Sequence, residues 1–165
     1  LYQTIQSFIS EYQNESEFTR KILSSLTDAS LEQEIAPGFR SLGILAWHLV
    51  PSGGILKPTG ITFEAPPEQS ETPQSAAEIV QAYITASSSL IEAIQTQWTD
   101  ENLQESVNMF GQQWKNGFTL AIFLKHEIHH RGQLTVLMRQ AVLPVIGIYG
   151  PSKEEWSSMG MTAPI

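Results

Sequence analysis

Between Asn116-Gly117 and Leu143-Pro144 runs a stretch that is apolar on nearly every side, and it limits the fold more than any other feature of the chain. Leu120, Ile122, Phe123, Leu124, Ile128, Leu134, Val136 and Leu137 cover all faces of a helix predicted over 117–141. A helix of that kind has to be surrounded by other elements. One stripe breaks the rule. His126, His129, His130 and Gln133 fall at offsets of zero, three, four and seven, which is a single face. Burying four such groups unpaired would cost several kcal/mol, at roughly 1–3 kcal/mol each. A bound cation removes that cost.

The remaining segments supply the cover. Over 3–26, Ile5, Ile9, Tyr12, Ser16, Thr19, Leu23 and Leu26 recur in alternating steps of four and three, the signature of one helical face. A second helical stretch, roughly 40–50, follows Pro37 and Gly38, carries His48, and is ended by Pro51, Gly53 and Gly54. Thr72-Pro73 reads as cap and first residue of a third helix over about 74–97, where Ala76, Val80, Tyr83, Ser87, Leu90 and Ile94 step in the same way. Residues 51–72, with prolines at 51, 58, 66 and 67, form a long loop; starting right after His48, it is placed to cover the mouth of a site there. Residues 99–115 are a connector with a turn at Phe110-Gly111, and no segment shows a strong strand period. The tail, about 142–165, with a short Glu154-Glu155-Trp156 segment, is expected to wrap the rest. The expectation is one all-α domain over 1–165: four helices with one long crossover between the second and third.

Composition removes several functions. A net charge of −8, with nine scattered Lys and Arg, provides no basic face for nucleic acid or for an acidic membrane surface. The absence of cysteine excludes disulfides, thiolate metal sites and cysteine nucleophiles together. No apolar run approaches the ~20 residues of a membrane span. Leu1-Tyr2-Gln3-Thr4-Ile5 lacks the basic start of a secretory signal. A cytoplasmic location is the expectation.

His126 and His130 are four apart, so their imidazoles can converge on one ion. His48, on a second apolar helix, supplies a third ligand if the fold brings it there. Zinc and nickel both accept imidazole nitrogen, and three protein ligands leave a position open. The run His126-Glu127-Ile128-His129-His130 also matches H-E-x-x-H, the zinc-peptidase spacing in which the Glu serves as base. That pattern needs a downstream ligand. Gln133 and Val136 stand where the extended motif has Gly and His, which leaves Glu154 or Glu155, and His48 would go unexplained.

Taken together, Leu45-Ala46-Trp47-His48-Leu49, Phe110-Gly111-Gln112-Gln113-Trp114, His126-Glu127-Ile128-His129-His130-Arg131-Gly132-Gln133-Leu134 and Tyr149-Gly150-Pro151 resemble the DinB family in order and spacing. The resemblance implies an antiparallel four-helix bundle and bacterial origin. It implies a divalent metal on a His of helix two and an H-x-x-x-H pair of helix four, which map to His48, His126 and His130. It also implies frequent homodimers. Similar proteins are named as metal-dependent hydrolases or act as thiol-dependent transferases and isomerases, with mycothiol or bacillithiol as co-substrate. In those, metal coordination converts the thiol to a thiolate.

Three readings follow. The first is a metal-dependent enzyme, a hydrolase or thiol S-transferase, that admits a small-molecule substrate beside the 51–72 loop. The second is a non-catalytic, metal-stabilised dimeric binding module. The third, and weakest, is the H-E-x-x-H peptidase. Glu127 is expected as a solvent-facing helix charge, with a role as base or ligand support as the other reading. His129 either bonds near the site or faces a helix neighbour. Arg131 and Gln133 are expected to tie the helix to the tail or a partner. Trp47, Trp98, Trp114 and Trp156 are expected in core or interface.

Overall fold

Each predicted helix forms, and the starts of the first three are set by side chains that satisfy free amides of the first turn. In a computed structural model describing residues 1–51, 54–67 and 70–164, helix α1 spans Ile5–Leu23. The Thr4 hydroxyl accepts from Ser7 N at 3.1 Å to cap it. Its buried face is Phe8, Ile9, Tyr12, Glu15, Thr19, Ile22 and Leu23, so Glu15 takes the inward place expected of Ser16. Helix α2, Leu42–His48, is capped by Ser41, and Leu49 follows at its end. Gly53, one of its expected stops, lies outside the described residues.

Helix α3 spans Ala76–Gln97 and is capped by Ser75, not by Thr72-Pro73. The reason is tertiary: the Asp28 carboxylate, from a 3-10 helix over Asp28–Glu32, accepts from Ala76 N at 2.7 Å and fixes where the helix begins. Helix α4 spans Asn116–Gln140. It ends on Val142, at φ 60, with Val142 N bonded to the Arg139 carbonyl (3.1 Å) and Leu143 N to the Met138 carbonyl (2.9 Å). That is a Schellman closure with valine in the place that usually takes glycine.

The connector contains what sequence did not show. After a 3-10 helix at Asp100–Gln104, strands β1 (Ser106–Met109) and β2 (Gln112–Lys115) form an antiparallel hairpin, with Met109 paired to Gln112. Phe110 and Gly111, at φ 52 and 81, make its two-residue turn. The all-α expectation is therefore corrected to a mostly helical fold with one small two-stranded sheet. The strands were hidden because Ser-Val-Asn-Met and Gln-Gln-Trp-Lys hold few β-branched residues and no alternation.

Helix α1 packs on α3 and α4, and α2 packs on α4 and α3, so each of these four touches two others. The core has two apolar parts. One holds Phe8, Ile9, Tyr12, Leu90, Ile94, Leu120 and Leu124; the other holds Ile22, Leu23, Leu45, Ile79, Leu134 and Met138. Glu15, Thr19, Glu127 and Arg131, all buried, lie between these parts along α1 and α4. The tail lies over the second part through Val145, Ile146 and Ile148. A short helix α5, Lys153–Ser158, is tied back by an Arg139–Glu154 ion pair.

Gly117 shows how tightly α4 is seated. A Cβ there would lie 2.9 Å from the Tyr2 carbonyl and 3.3 Å from that of Leu103. In an open helix Gly→Ala gains up to ~1 kcal/mol. Here overpacking, worth about 1–3 kcal/mol, outweighs it. Gly117→Ala is expected to lower the urea midpoint at unchanged slope.

Candidate metal centre

The last residue of α2 and the exposed stripe of α4 meet. His48 Nε2 lies 3.3 Å from His126 Nε2, and His130 Nε2 lies 3.0 Å from the same atom. All three ring nitrogens are within 4.8 Å of one another. The rings stand steeply to each other, at 69°, 82° and 78°. A ring nitrogen carries either one hydrogen or one lone pair. His126 Nε2 therefore cannot be hydrogen-bonded to both neighbours, and three lone pairs pointed together repel. With imidazole nitrogens about 2.0–2.1 Å from an ion, neighbouring ligands are separated by about 2.9 Å at a right angle and about 3.3 Å at a tetrahedral one. The two separations, 3.3 and 3.0 Å, fall at those values, so the residues present fit a divalent cation.

The polar stripe supports this arrangement from behind. His130 Nδ1 donates to Gln133 Oε1 at 2.6 Å, and the Gln133 amide donates to His129 Nε2 at 3.2 Å. One amide orientation satisfies both bonds. The first places the His130 proton on Nδ1 and leaves its Nε2 lone pair facing the cluster. Gln133 was expected at the tail or a partner, but it fixes the orientation of the His130 ring in the cluster. His129 bonds to Gln133 and packs edge-on against the His130 ring at 5.0 Å, and it is not one of the three clustered histidines.

All three cluster histidines have lowered pKa values. Burial is the largest cause for each; for His48, His130, Arg40 and His126 add positive charge, and its pKa drops to about 4. His126 and His130 follow in direction, with the bond to Gln133 opposing the fall at His130. The rings are thus neutral near pH 7, the form that coordinates. In unfolded chain they titrate near 6.5. Between about 6.5 and 4 the unfolded state binds more protons, so stability is full above that window and declines as pH falls through it. Glu127, whose pKa is raised chiefly by burial, acts in the opposite sense: its protonation on acidification relieves a buried charge. Urea melts of metal-free protein from pH 7 to 4 are expected to show the decline, steeper in Glu127→Gln than in the parent.

Glu127 corrects the sequence reading most. It is 2% exposed rather than facing solvent. Its Oε1 accepts from Thr19 Oγ1 at 2.7 Å and from Tyr83 OH at 2.6 Å, while Oε2 is buried without a partner. Arg131, one residue past His130, is equally buried. Its guanidinium donates to the Glu15 carboxylate, to the Glu15 carbonyl (2.9 Å), to Thr19 Oγ1 (3.1 Å) and to Tyr149 OH (2.8 Å). Tyr149 OH donates in turn to Glu15 Oε2 at 2.6 Å. Arg131 ties α4 to the tail as expected, and to α1 as well. Sequence reasoning missed Glu15, Thr19 and Tyr83; the available signal was an acid on an otherwise apolar face of 3–26.

The same geometry fails to supply a peptidase. Glu127 bonds into the core, Glu154 pairs with Arg139, and Glu155 accepts from Gly147 N and Ser152 N. Among the described residues no fourth His, Asp or Glu joins the three histidines. Next to them opens a cavity of about 420 Å³, with His48, His126 and Glu127 in its wall. Pro51, Gly54 and Ile55 line it too, so the segment after His48 does border the site. Of the tryptophans, Trp98 is buried in the first apolar part of the core, Trp47 packs against the second, and Trp114 lines the cavity. No helix among the described residues is long and apolar enough to cross a membrane.

Known proteins share this fold and sequence. The Bacillus subtilis protein YrdA is 48% identical over 165 residues, covering 99% of each chain. The crystal structure of a DinB-like protein from Bacillus cereus is 44% identical and superimposes with a TM-score of 0.87, over 90% of this chain and 100% of that one. A second DinB-like structure, YjoA of Bacillus subtilis, is 16% identical, has a TM-score of 0.67 over 88% of this chain and 99% of its own, and shares the fold. The family model named DinB family matches residues 1–162. With its three histidines converging between the second helix and the fourth, the chain belongs to the DinB family.

Proposed function

We propose that this protein is a metal-dependent enzyme acting on a small molecule, as a hydrolase or thiol S-transferase, with zinc or nickel held by His48, His126 and His130. The observation that carries it is the convergence of three Nε2 atoms at ligand spacing beside an apolar cavity. When bound, such an ion supplies Lewis acidity, lowering the pKa of a coordinated water or thiol near pH 7. His48, His126 and His130 hold their lone pairs toward one point. Gln133 keeps the His130 proton on the far nitrogen. The cavity wall presents apolar surface, from Ile55, Trp114, Ile122 and Phe123, to one side of that point. Among the described residues no further His, Asp or Glu joins the three histidines, which favours the enzyme over a binding module in which the ion is only a staple. An antiparallel four-helix bundle and a homodimer, the latter measurable by light scattering, belong to the same reading.

The experiment is elemental analysis of purified protein, then turnover assays with several low-molecular-weight thiols and simple esters. About one equivalent of zinc or nickel with thiol or ester turnover is expected. Stoichiometric metal without turnover would leave the binding module. Absence of metal after incubation with either ion, in protein shown to be folded, would end the proposal.

A further inference from the structure

Arg20, Arg131 and Arg139 are each held by a glutamate, but among the described residues no ion pair involves Arg40. Arg40 instead lines, together with His48, a cleft of about 180 Å³. Ile44 and Trp47 from α2, with Pro66 and Pro67 from the 51–72 loop, give the cleft apolar walls. No carboxylate is among its described lining residues. The cleft meets the 420 Å³ cavity at His48 and Val50, which line both.

A guanidinium in this position works against a metal centre. Imidazole ligands are neutral, so a cation held by three of them keeps its charge and is repelled by a second positive group. Glu127, beside His126 in the chain, offers no relief at the surface: Oε1 is taken by Thr19 and Tyr83, and Oε2 is buried. The charge of Arg40 does reach the cluster, since after burial it is one of the causes that lower the pKa of His48, His126 and His130. A chain of net charge −8 thus leaves positive charge uncompensated beside its open site. An anion from outside balances it.

We propose that Arg40 anchors the carboxylate of a small anionic substrate, whose apolar part lies against Ile44 and Trp47. The inference rests on the three-histidine enzyme reading, because it seats the substrate beside that cluster, but its test needs no metal. An arginine fork meets the two coplanar oxygens of a carboxylate in a bidentate pair. A phosphate monoester would add a second charge and a third oxygen, and the described lining residues hold no further Lys or Arg for them. Arg40 is exposed, so the pair is screened by salt and weaker than a buried one.

Phenylacetate and phenylacetamide test this, since they share an apolar ring and differ in a carboxylate against a neutral amide. Dissociation constants are measured by ligand-observed NMR at low ionic strength, on metal-free and zinc-treated protein. In metal-free protein phenylacetate is expected to bind about fivefold more tightly. Arg40→Gln is expected to bring that ratio to about one, and Arg40→Lys, which keeps the charge without the fork, to retain part of it. Both changes fall at an exposed position, and circular dichroism checks that the variants fold. With zinc the preference is expected to widen, and Arg40→Gln to narrow it. Equal affinities in the metal-free parent, no detectable phenylacetate binding, or an unchanged ratio in Arg40→Gln would overturn the proposal. A preference that Arg40→Gln removes, in protein that takes up no metal, would support the anchor and count against the metal reading alone. Metal uptake with equal affinities would remove the anchor and leave the metal reading standing.

Discussion

His126→Ala is expected to weaken zinc or nickel binding by about 100-fold or more while leaving the metal-free protein as stable as its parent. Even groups that only support a ligand are worth about 10–100-fold in affinity, so losing a ligand sets a floor near the top of that range. His126 is the choice because its Nε2 is the atom that both other rings approach. Its side chain is exposed on α4, where alanine is a favourable helix residue, so the fold itself loses little. The effect is also visible thermodynamically. At free metal 100 times the parent dissociation constant, binding stabilises the parent by about 2.7 kcal/mol, and a 100-fold weaker site retains about 0.4 kcal/mol. Calorimetric titration and paired melts with and without chelator measure both quantities. His48→Ala should behave alike, whereas a site built from His126, His130 and a tail glutamate would keep its metal. Unchanged metal affinity in either variant would remove the three-histidine centre.

Arg131→Met is expected to be the most destabilising single change, at about 3–5 kcal/mol, because it leaves the Glu15 carboxylate buried without its cation. The side chains concerned are 2% and 10% exposed, so solvent does little to screen the loss. In a domain whose whole stability is about 5–15 kcal/mol, that is a large share. The midpoint of thermal unfolding should fall by roughly 10 °C, at about 2–4 °C per kcal/mol for a chain of this length. Tyr149 loses one of its two anchors, so the tail should become more open to protease. Arg131→Met combined with Glu15→Leu should recover part of the stability, since no buried charge then stands alone. Additive losses in the double variant would show that the pair is not coupled. Urea titrations of the four proteins close that cycle.

These two changes probe opposite sides of one helix. His126 and His130 face outward, and Glu127 and Arg131, each one residue later, face inward. The inner pair bonds to α1, α3 and the tail, and so fixes the rotation of α4 about its axis. A small rotation would carry the His126 and His130 ring nitrogens away from His48, which α2 holds in place through Leu42, Leu45 and Ala46 in the core. The three-histidine cluster and the buried polar layer are therefore mechanically joined through the backbone of a single helical turn.

Local periodicity was enough to locate α1, α2, α3 and α4 to within a few residues, because a 3.6-residue repeat is written in neighbouring positions. The i, i+4 spacing placed His126 and His130 together for the same reason. The turn at Phe110-Gly111 was legible too, but not the hairpin around it, whose strands are stabilised by pairing with each other rather than by any pattern of their own. The exact start of α3 escaped because Asp28, far away in the chain, accepts from its first amide, at Ala76, beside the Ser75 cap. Glu127 escaped because a lone acid in a sequence looks solvated until the hydroxyls of Thr19 and Tyr83, on two other helices, are seen to reach it. What the chain alone determined was which side chains share a helix face, since that follows from bond geometry over four residues. Which face is buried, and that His48 meets the pair, only the packed structure decided, because those depend on the balance of desolvation and contact between segments many turns apart.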